Sequence, residues 1–90
     1  MKVIKTTVAG TLESNDALIT LEPPKAQGLE VVIDSIVEKQ FGSAIRKCIT
    51  DVLSEHGISD AFVHVRDKGA LDCTLKARME TAILRLKEET

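Results

Sequence analysis

The sequence predicts an α+β fold, a two-layer sandwich in which two helices cover a mostly antiparallel four-stranded sheet. Three stretches before residue 35 alternate between apolar and polar residues, as half-buried strands do. Two later stretches repeat apolar residues every three or four positions, as amphipathic helices do, with a further alternating stretch between them. The predicted order is therefore βββαβα, since both helices need one apolar sheet face to cover.

The first two predicted strands form a hairpin. Residues 3–12 alternate, and "ALITLE" at 17–22 follows the turn residues Ser14, Asn15 and Asp16. Asn and Asp tolerate left-handed backbone angles and bond their own backbone, so they suit a short turn. So short a connection predicts antiparallel pairing. Gly10 inside the first strand predicts a bulge or a close backbone approach.

The third strand, "LEVVID" at 29–34, leads into the first helix. Ser35 followed three residues later by Glu38 is the capping-box pattern of a helix start. Gly42 is expected to interrupt this helix, and Gly57 to end it. The apolar stripe predicted to be buried consists of Val37, Phe41, Ala44, Ile45, Cys48, Ile49, Val52 and Leu53.

The last strand and the last helix follow in the same way. "DAFVHVRD" at 60–67 alternates with its Ala and Val residues on one side, and a helix is predicted from about Ala70 to Lys87. Asp72 would lie in its first turn, where the helix dipole favours a carboxylate. The predicted apolar stripe consists of Leu71, Leu75, Met79, Ala82, Ile83 and Leu86.

Length and composition narrow the class of protein. Ninety residues make one small domain, 1–90, and a formal net charge of −2 with no Trp or Tyr argues against binding nucleic acid. No segment has the length of a membrane span and the N-terminus lacks the apolar run of a signal peptide, so the expected location is the cytoplasm. Cys48 and Cys73 are then expected to be free, partly buried thiols.

Residues that could carry catalysis are scarce. His56 and His64 have no Cys or carboxylate at the spacing of a metal site or a triad, so no metal site and no catalytic residue is predicted. Gly69 in "DKGALD" precedes a helix and could help to bind an anion, but a strand-to-helix connection is the commoner use of such a turn. A small stand-alone enzyme is therefore disfavoured.

Ser14 lies between Glu13 and the Asn15-Asp16 pair at the predicted hairpin tip. Two carboxylates at a wet tip have no burial to raise either pKa, which disfavours a catalytic pair. Ser14 has no His nearby in sequence to act as a base. The residues alone therefore favour a turn serine with an exposed hydroxyl, one that another enzyme could reach.

Three segments nevertheless carry a family resemblance. "AGTLESND" at 9–16, "VEKQFGSAIR" at 37–46 and "DKGALD" at 67–72 resemble the acyl carrier protein of citrate lyase, its gamma chain, and the likeness covers nearly the whole sequence. The resemblance implies that a dedicated transferase joins 2′-(5″-phosphoribosyl)-3′-dephospho-coenzyme A to Ser14 through a phosphodiester. Glu13, Asn15 and Asp16 would flank the attachment point, with Asn15 where the family often has Gly.

The resemblance also implies a role and partners. The thiol of the group would carry acetyl and citryl units between the alpha subunit, a transferase, and the beta subunit, a lyase, so the chain itself would be a non-catalytic carrier. Two alternatives stay open. One is the related carrier subunit of malonate decarboxylase. The other is a protein-interaction module that binds a partner through its sheet and has no modified Ser14.

Overall fold

The computed structural model describes residues 1–36 and 38–88, with the side chains of Glu38 and Lys39 left aside. The elements run in the predicted order and confirm the α+β class. They are β1 (Thr7–Gly10), β2 (Ala17–Glu22), β3 (Leu29–Ser35), α1 (Glu38–Glu55), β4 (Ala61–Asp67) and α2 (Asp72–Glu88).

The four strands form one sheet in the order β1-β2-β4-β3. β1 with β2 and β2 with β4 are antiparallel, as the hairpin signals predict, whereas β3 pairs with β4 in parallel, so the sheet is mixed. The register brings Ala17, Asp67 and Ser35 side by side at one end of the sheet. This end is called the turn end below. It carries the β1–β2 turn, and both helices begin next to it.

The core lies between one sheet face and the two helices. Alternate residues of β2 and β4 are buried, as period-two patterning requires. On the helices, Ile49 and Leu53 of α1 and Met79 and Ile83 of α2 are fully buried. Burying one such side chain contributes about 1.5–3 kcal/mol. The Thr7 hydroxyl donates to the Ala82 carbonyl at 2.8 Å and so fixes β1 against α2.

Three predicted boundaries were wrong. The first strand begins at Thr7 and not at residue 3, because the preceding segment pairs elsewhere, with the Val3 amide donating to the Asp60 carbonyl. Gly42 does not interrupt α1, which is continuous. Ser35 belongs to β3 and its hydroxyl donates to Asp67, while the helix begins at Glu38. Val37 lies outside the described residues.

Some residues of the predicted stripes are not in the core. Phe41 is 52% exposed, Leu71 is 69% exposed and Ala44 is also exposed. They line an open groove of about 340 Å³ between the beginnings of the two helices. The second helix starts at Asp72, so Leu71 precedes it. Both cysteines are free, as predicted. Cys48 is also partly buried as predicted, whereas Cys73 is exposed, so its predicted burial was wrong.

Candidate functional site

Ser14 lies in a tight β-turn formed by residues 13–16. The Asp16 amide donates to the Glu13 carbonyl at 3.2 Å, which closes the turn. Asn15 has a φ of 63°, the left-handed conformation that Asn tolerates and that the sequence predicts. A positive φ at the third position alone is the pattern of a type II turn. The exposed Ser14 hydroxyl makes no hydrogen bond with any residue in 1–36 or 38–88.

The Ser14 turn is hydrogen-bonded to the turn that follows β4. The Asn15 amide donates to the Lys68 carbonyl at 2.8 Å, and the Lys68 amide donates to the Asp16 carbonyl at 2.9 Å. These bonds continue the β2–β4 ladder beyond its last strand pair, Ala17 with Asp67. The backbone beside Ser14 is therefore anchored in the centre of the sheet.

The Asp16 carboxylate accepts four hydrogen bonds. The Ala17 amide and Arg78 Nε donate to Oδ1 at 2.7 and 2.9 Å, and the Thr11 hydroxyl and Arg78 Nη2 donate to Oδ2 at 2.7 and 2.8 Å. Bidentate Arg–carboxylate pairs are among the stronger polar contacts in proteins. The bonds from Arg78 first, and then from Thr11, hold the pKa of Asp16 well below its usual range. Thr11, Asp16 and Arg78 are called the Asp16 clamp below.

The clamp changes the electrostatics expected from the sequence. Glu13 and Asp16 look like two free acids beside Ser14, but Asp16 is neutralised by Arg78. Of these two acids, Glu13 is the exposed one and Arg78 does not bind it, so its charge faces solvent. A charged linker on Ser14 would therefore meet less repulsion than the sequence suggests.

A second carboxylate supports the neighbouring turn. Asp67 is 1% exposed and accepts the Ala70 amide at 2.8 Å on Oδ1 and the Ser35 hydroxyl at 2.8 Å on Oδ2. Gly69 adopts a positive φ of 88° in the connection from β4 to α2. "DKGALD" therefore forms the strand-to-helix connection that was predicted.

The other chemical groups lie apart from Ser14. His56 is 3.8 Å from the Glu80 carboxylate, and His64 lies on the part-exposed side of β4. Burial first, and then the neighbouring Asp72, raise the pKa of Cys48 to about 11. Within the described ranges, no three His, Cys, Asp or Glu residues cluster as a metal site would require. No described helix is both long and apolar enough to cross a membrane.

Sequence reasoning found Ser14, Asn15 and Asp16 but missed the residues that hold them. Arg78 lies 62 residues from Asp16 and reads in sequence as a solvent-facing residue of α2. Thr11 reads only as a strand residue. The one available signal was an Arg near the middle of a helix predicted to cover the sheet.

Comparison with known proteins bears on this turn. Residues 4–86 match the family model described as "Malonate decarboxylase delta subunit (MdcD)". The chain is 51% identical over 85 residues to a citrate lyase acyl carrier protein of Streptococcus mutans, covering 94% of this chain and 83% of that protein. It is 44% identical over 90 residues to citrate lyase acyl carrier protein 2 of Salmonella paratyphi A, covering 100% and 93%. The chain belongs to the citrate lyase acyl carrier protein family.

The resemblance predicted from the three segments is thus confirmed. A likeness in fold extends further, to a chain of a Pseudomonas malonate decarboxylase hetero-tetramer solved in complex with malonate. The TM-score is 0.82 at 16% identity, over 96% of this chain and 88% of that one. Membership of an acyl carrier family makes this a carrier chain, and such a chain works with a covalently bound prosthetic group.

Proposed function

We propose that this chain is the acyl carrier subunit of citrate lyase and that Ser14 Oγ is the attachment atom for 2′-(5″-phosphoribosyl)-3′-dephospho-coenzyme A. One observation carries the proposal. In a turn whose backbone and Asp16 carboxylate are held by several hydrogen bonds, the Ser14 hydroxyl is exposed and accepts or donates none within the described residues. A modifying enzyme can therefore reach this oxygen without displacing a hydrogen-bond partner among residues 1–36 and 38–88.

The residues around Ser14 fit a large group joined by a phosphodiester. Attachment forms one O–P bond at Ser14 Oγ, whose proton goes to a base of the transferase as the leaving group departs from the donor. The chain needs no base of its own, in keeping with the distance in sequence of His56 and His64 from the turn. A group of this size needs open solvent around its root, and a hairpin tip provides it.

The chain's own contribution is a fixed root. The bonds from Asn15 and Asp16 to Lys68 hold Ser14 against the sheet while everything beyond its oxygen is free to turn. When bound, the prosthetic group supplies the thiol that carries the acyl unit. The proposal makes alpha and beta citrate lyase subunits the partners in a multi-subunit complex, and a dedicated transferase the modifying enzyme. It also places the carrier in the cytoplasm, where Cys48 and Cys73 stay unpaired.

The test is the intact mass of the full chain produced together with the proteins that make and attach the group. The wild-type chain should gain the mass of one group, and Ser14→Ala should gain none. Ser59→Ala is the matched control, because Ser59 is also an exposed non-helical serine, and it should gain the full mass. Modification of Ser14→Ala would sink the assignment. An unmodified wild-type chain would favour the interaction module.

The carrier subunit of malonate decarboxylase is the second candidate. The description of the matching family model and the shared fold favour it. The fold does not decide, since the structural match is 16% identical, whereas the relatives named for citrate lyase are 44–51% identical. Acyl exchange between the loaded carrier and purified citrate lyase alpha subunit should proceed with citrate and not with malonate. The reverse preference would replace the first proposal by the second.

A further inference from the structure

We propose that Arg78 is a positioning residue for the modification of Ser14. Acting through Asp16, it holds the turn in the one geometry that the modifying enzyme meets. The inference rests on the proposed function of Ser14 and adds a residue of α2 to its site. Arg78 bonds Asp16, two residues after Ser14, so its role is indirect.

The clamp ties both sides of the turn to a helix. Thr11 precedes the turn and Asp16 ends it, and the hydroxyl of the first donates to the carboxylate of the second at 2.7 Å. Arg78 then binds the same carboxylate with two nitrogens, at 2.9 and 2.8 Å. The six-residue segment from Thr11 to Asp16 is thereby closed at its base and fixed to α2. Of the backbone bonds, those that tie the turn to the neighbouring β4 turn come only from Asn15 and Asp16, so the Thr11 side reaches α2 through the clamp.

The surroundings of the clamp favour a lasting contact. The Asp16 side chain is 13% exposed and that of Arg78 is 38% exposed, so water screens the pair only partly. The stem of Arg78 runs beside the end of β1, where a Cβ at Gly10 would lie 3.3 Å from Arg78 Cδ. The small residue at position 10 therefore leaves room for the stem to pass. A planar guanidinium also sets the orientation of the carboxylate it binds, which a single ammonium contact does not do.

The expected consequence is a kinetic one. Without Arg78 the backbone bonds still form a turn, but the turn occupies the competent geometry for only part of the time. The transferase then meets a usable hydroxyl in that fraction of encounters, and its apparent affinity for the chain falls accordingly. Misplacing a reacting oxygen by about 1 Å can cost roughly 100-fold in rate.

The experiment follows modification of the full apo chain by its purified transferase, using intact mass against time and donor made by its own biosynthetic enzymes. Arg78→Ala should lower kcat/KM at least about tenfold, and Arg78→Lys should fall between it and the wild type. Arg85→Ala is the matched control. Arg85 lies two turns further along α2 and donates to the Val8 carbonyl of the same hairpin, but it does not contact the turn, so the rate should stay near the wild-type value.

Two further readouts separate positioning from other roles. NMR order parameters of the Ser14 and Asn15 amides should fall in Arg78→Ala and not in Arg85→Ala. In a double-mutant cycle, Asp16→Ala combined with Arg78→Ala should be no slower than the slower single variant, because both remove the same contact. If the rate reductions of the two single variants multiply in the double variant, Arg78 acts independently of Asp16, as it would if it contacted the transferase directly. That result would overturn the proposal.

The failure of this inference can be told from the failure of the proposed function. If Ser14→Ala is still modified, the attachment site is wrong. If Ser14→Ala is unmodified but Arg78→Ala reacts at the wild-type rate, only the positioning role is overturned. If circular dichroism shows that Arg78→Ala does not fold, Asp16→Asn is measured in its place. Asp16→Asn keeps the shape of the side chain and removes its charge. A wild-type rate for it would overturn the proposal equally.

Discussion

Two exposed serines at opposite ends of the sheet differ in what surrounds their hydroxyls. Ser14, at the turn end, has no hydrogen-bond partner among the described residues. Ser59, at the other end, donates to Asp60 Oδ2 at 2.8 Å and accepts from the Met1 amine at 3.3 Å. Exposure alone therefore does not distinguish them. They differ in that the Ser59 hydroxyl is hydrogen-bonded and the Ser14 hydroxyl, among the described residues, is not.

The neighbouring aspartates explain the difference. At both ends a carboxylate accepts a backbone amide, Ala17 N–H on Asp16 and Gly28 N–H on Asp60, each at 2.7 Å. The second oxygen of Asp60 is bound by the adjacent serine hydroxyl. The second oxygen of Asp16 is bound by Thr11 and Arg78 instead. Because other donors satisfy Asp16, its carboxylate does not bind the hydroxyl of Ser14 as Asp60 binds that of Ser59.

The largest expected loss of stability comes from replacing a glycine by alanine at each end of the sheet. Gly10 has a φ of 99°, and a Cβ there would collide with the Ala17 carbonyl oxygen and lie 2.9 Å from its carbon. Gly28 has a φ of 97°, but nothing lies within 4 Å of an added Cβ. Gly10→Ala combines backbone strain with a clash and should cost about 2–4 kcal/mol. Gly28→Ala carries the strain alone, about 1–2 kcal/mol.

Urea unfolding of both variants measures this difference in the free energy of unfolding. Equal losses would mean that the turn end yields to the extra methyl group as easily as the open loop before β3. The close packing on which the Asp16 clamp depends would then be in doubt. A larger loss at Gly28 would reverse the comparison between the two ends.

Sequence alone predicted the parts of this comparison that depend on local signals. Alternation gave the strands, and Asn15 gave the left-handed turn, because both depend on residues close together in the chain. The bond from Arg78 to Asp16 spans 62 residues, so no local pattern encodes it. Phe41 and Leu71 have helical periodicity but lie exposed, because periodicity does not show where the covering element ends.

The effect of intermediate size is the pH dependence of the stability that Asp16 contributes at the turn end. Since the pKa of Asp16 is held below its ordinary value of 3.8, its ionised form stabilises the folded chain above that pH. As the pH falls below 3.8, the unfolded chain takes up this proton first, and the stabilisation is lost progressively. Asp16→Asn should cost on the order of 1 kcal/mol at pH 6, since solvent screens part of the pair.

The difference between wild type and Asp16→Asn should therefore shrink from pH 6 to pH 2.5, as measured by urea unfolding at both pH values. Asp60→Asn is the matched variant at the other end. In the wild type the pKa of Asp60 is also lowered, first by the bond from the Gly28 amide. The stability difference between wild type and Asp60→Asn should therefore also shrink as the pH falls, but without the contribution of a bidentate arginine. A difference for Asp16→Asn that does not change with pH would contradict the ionised clamp.

The smallest expected effect on the free energy of unfolding comes from replacing one lysine at each end of the sheet. Lys25 lies with its ammonium 4.0 Å from the centre of the Phe62 ring, and an exposed contact of this kind contributes about 0.5–1 kcal/mol. Lys68 supports the Ser14 turn through its backbone amide and carbonyl, which a substitution by Ala leaves in place. Lys25→Ala should therefore lower the free energy of unfolding by about 0.5–1 kcal/mol, and Lys68→Ala should change it by less than about 0.5 kcal/mol.

Lys25→Met tests which part of the lysine acts on Phe62. It keeps most of the apolar stem and removes the charge, so it should be as destabilising as Lys25→Ala if the cation is responsible. A stability near that of the wild type would assign the contact to the stem. A loss in Lys68→Ala equal to that in Lys25→Ala would show that the side chain, and not only the backbone, supports the turn. The view that Ser14 is anchored chiefly by main-chain bonds and the Asp16 clamp would then have to include Lys68.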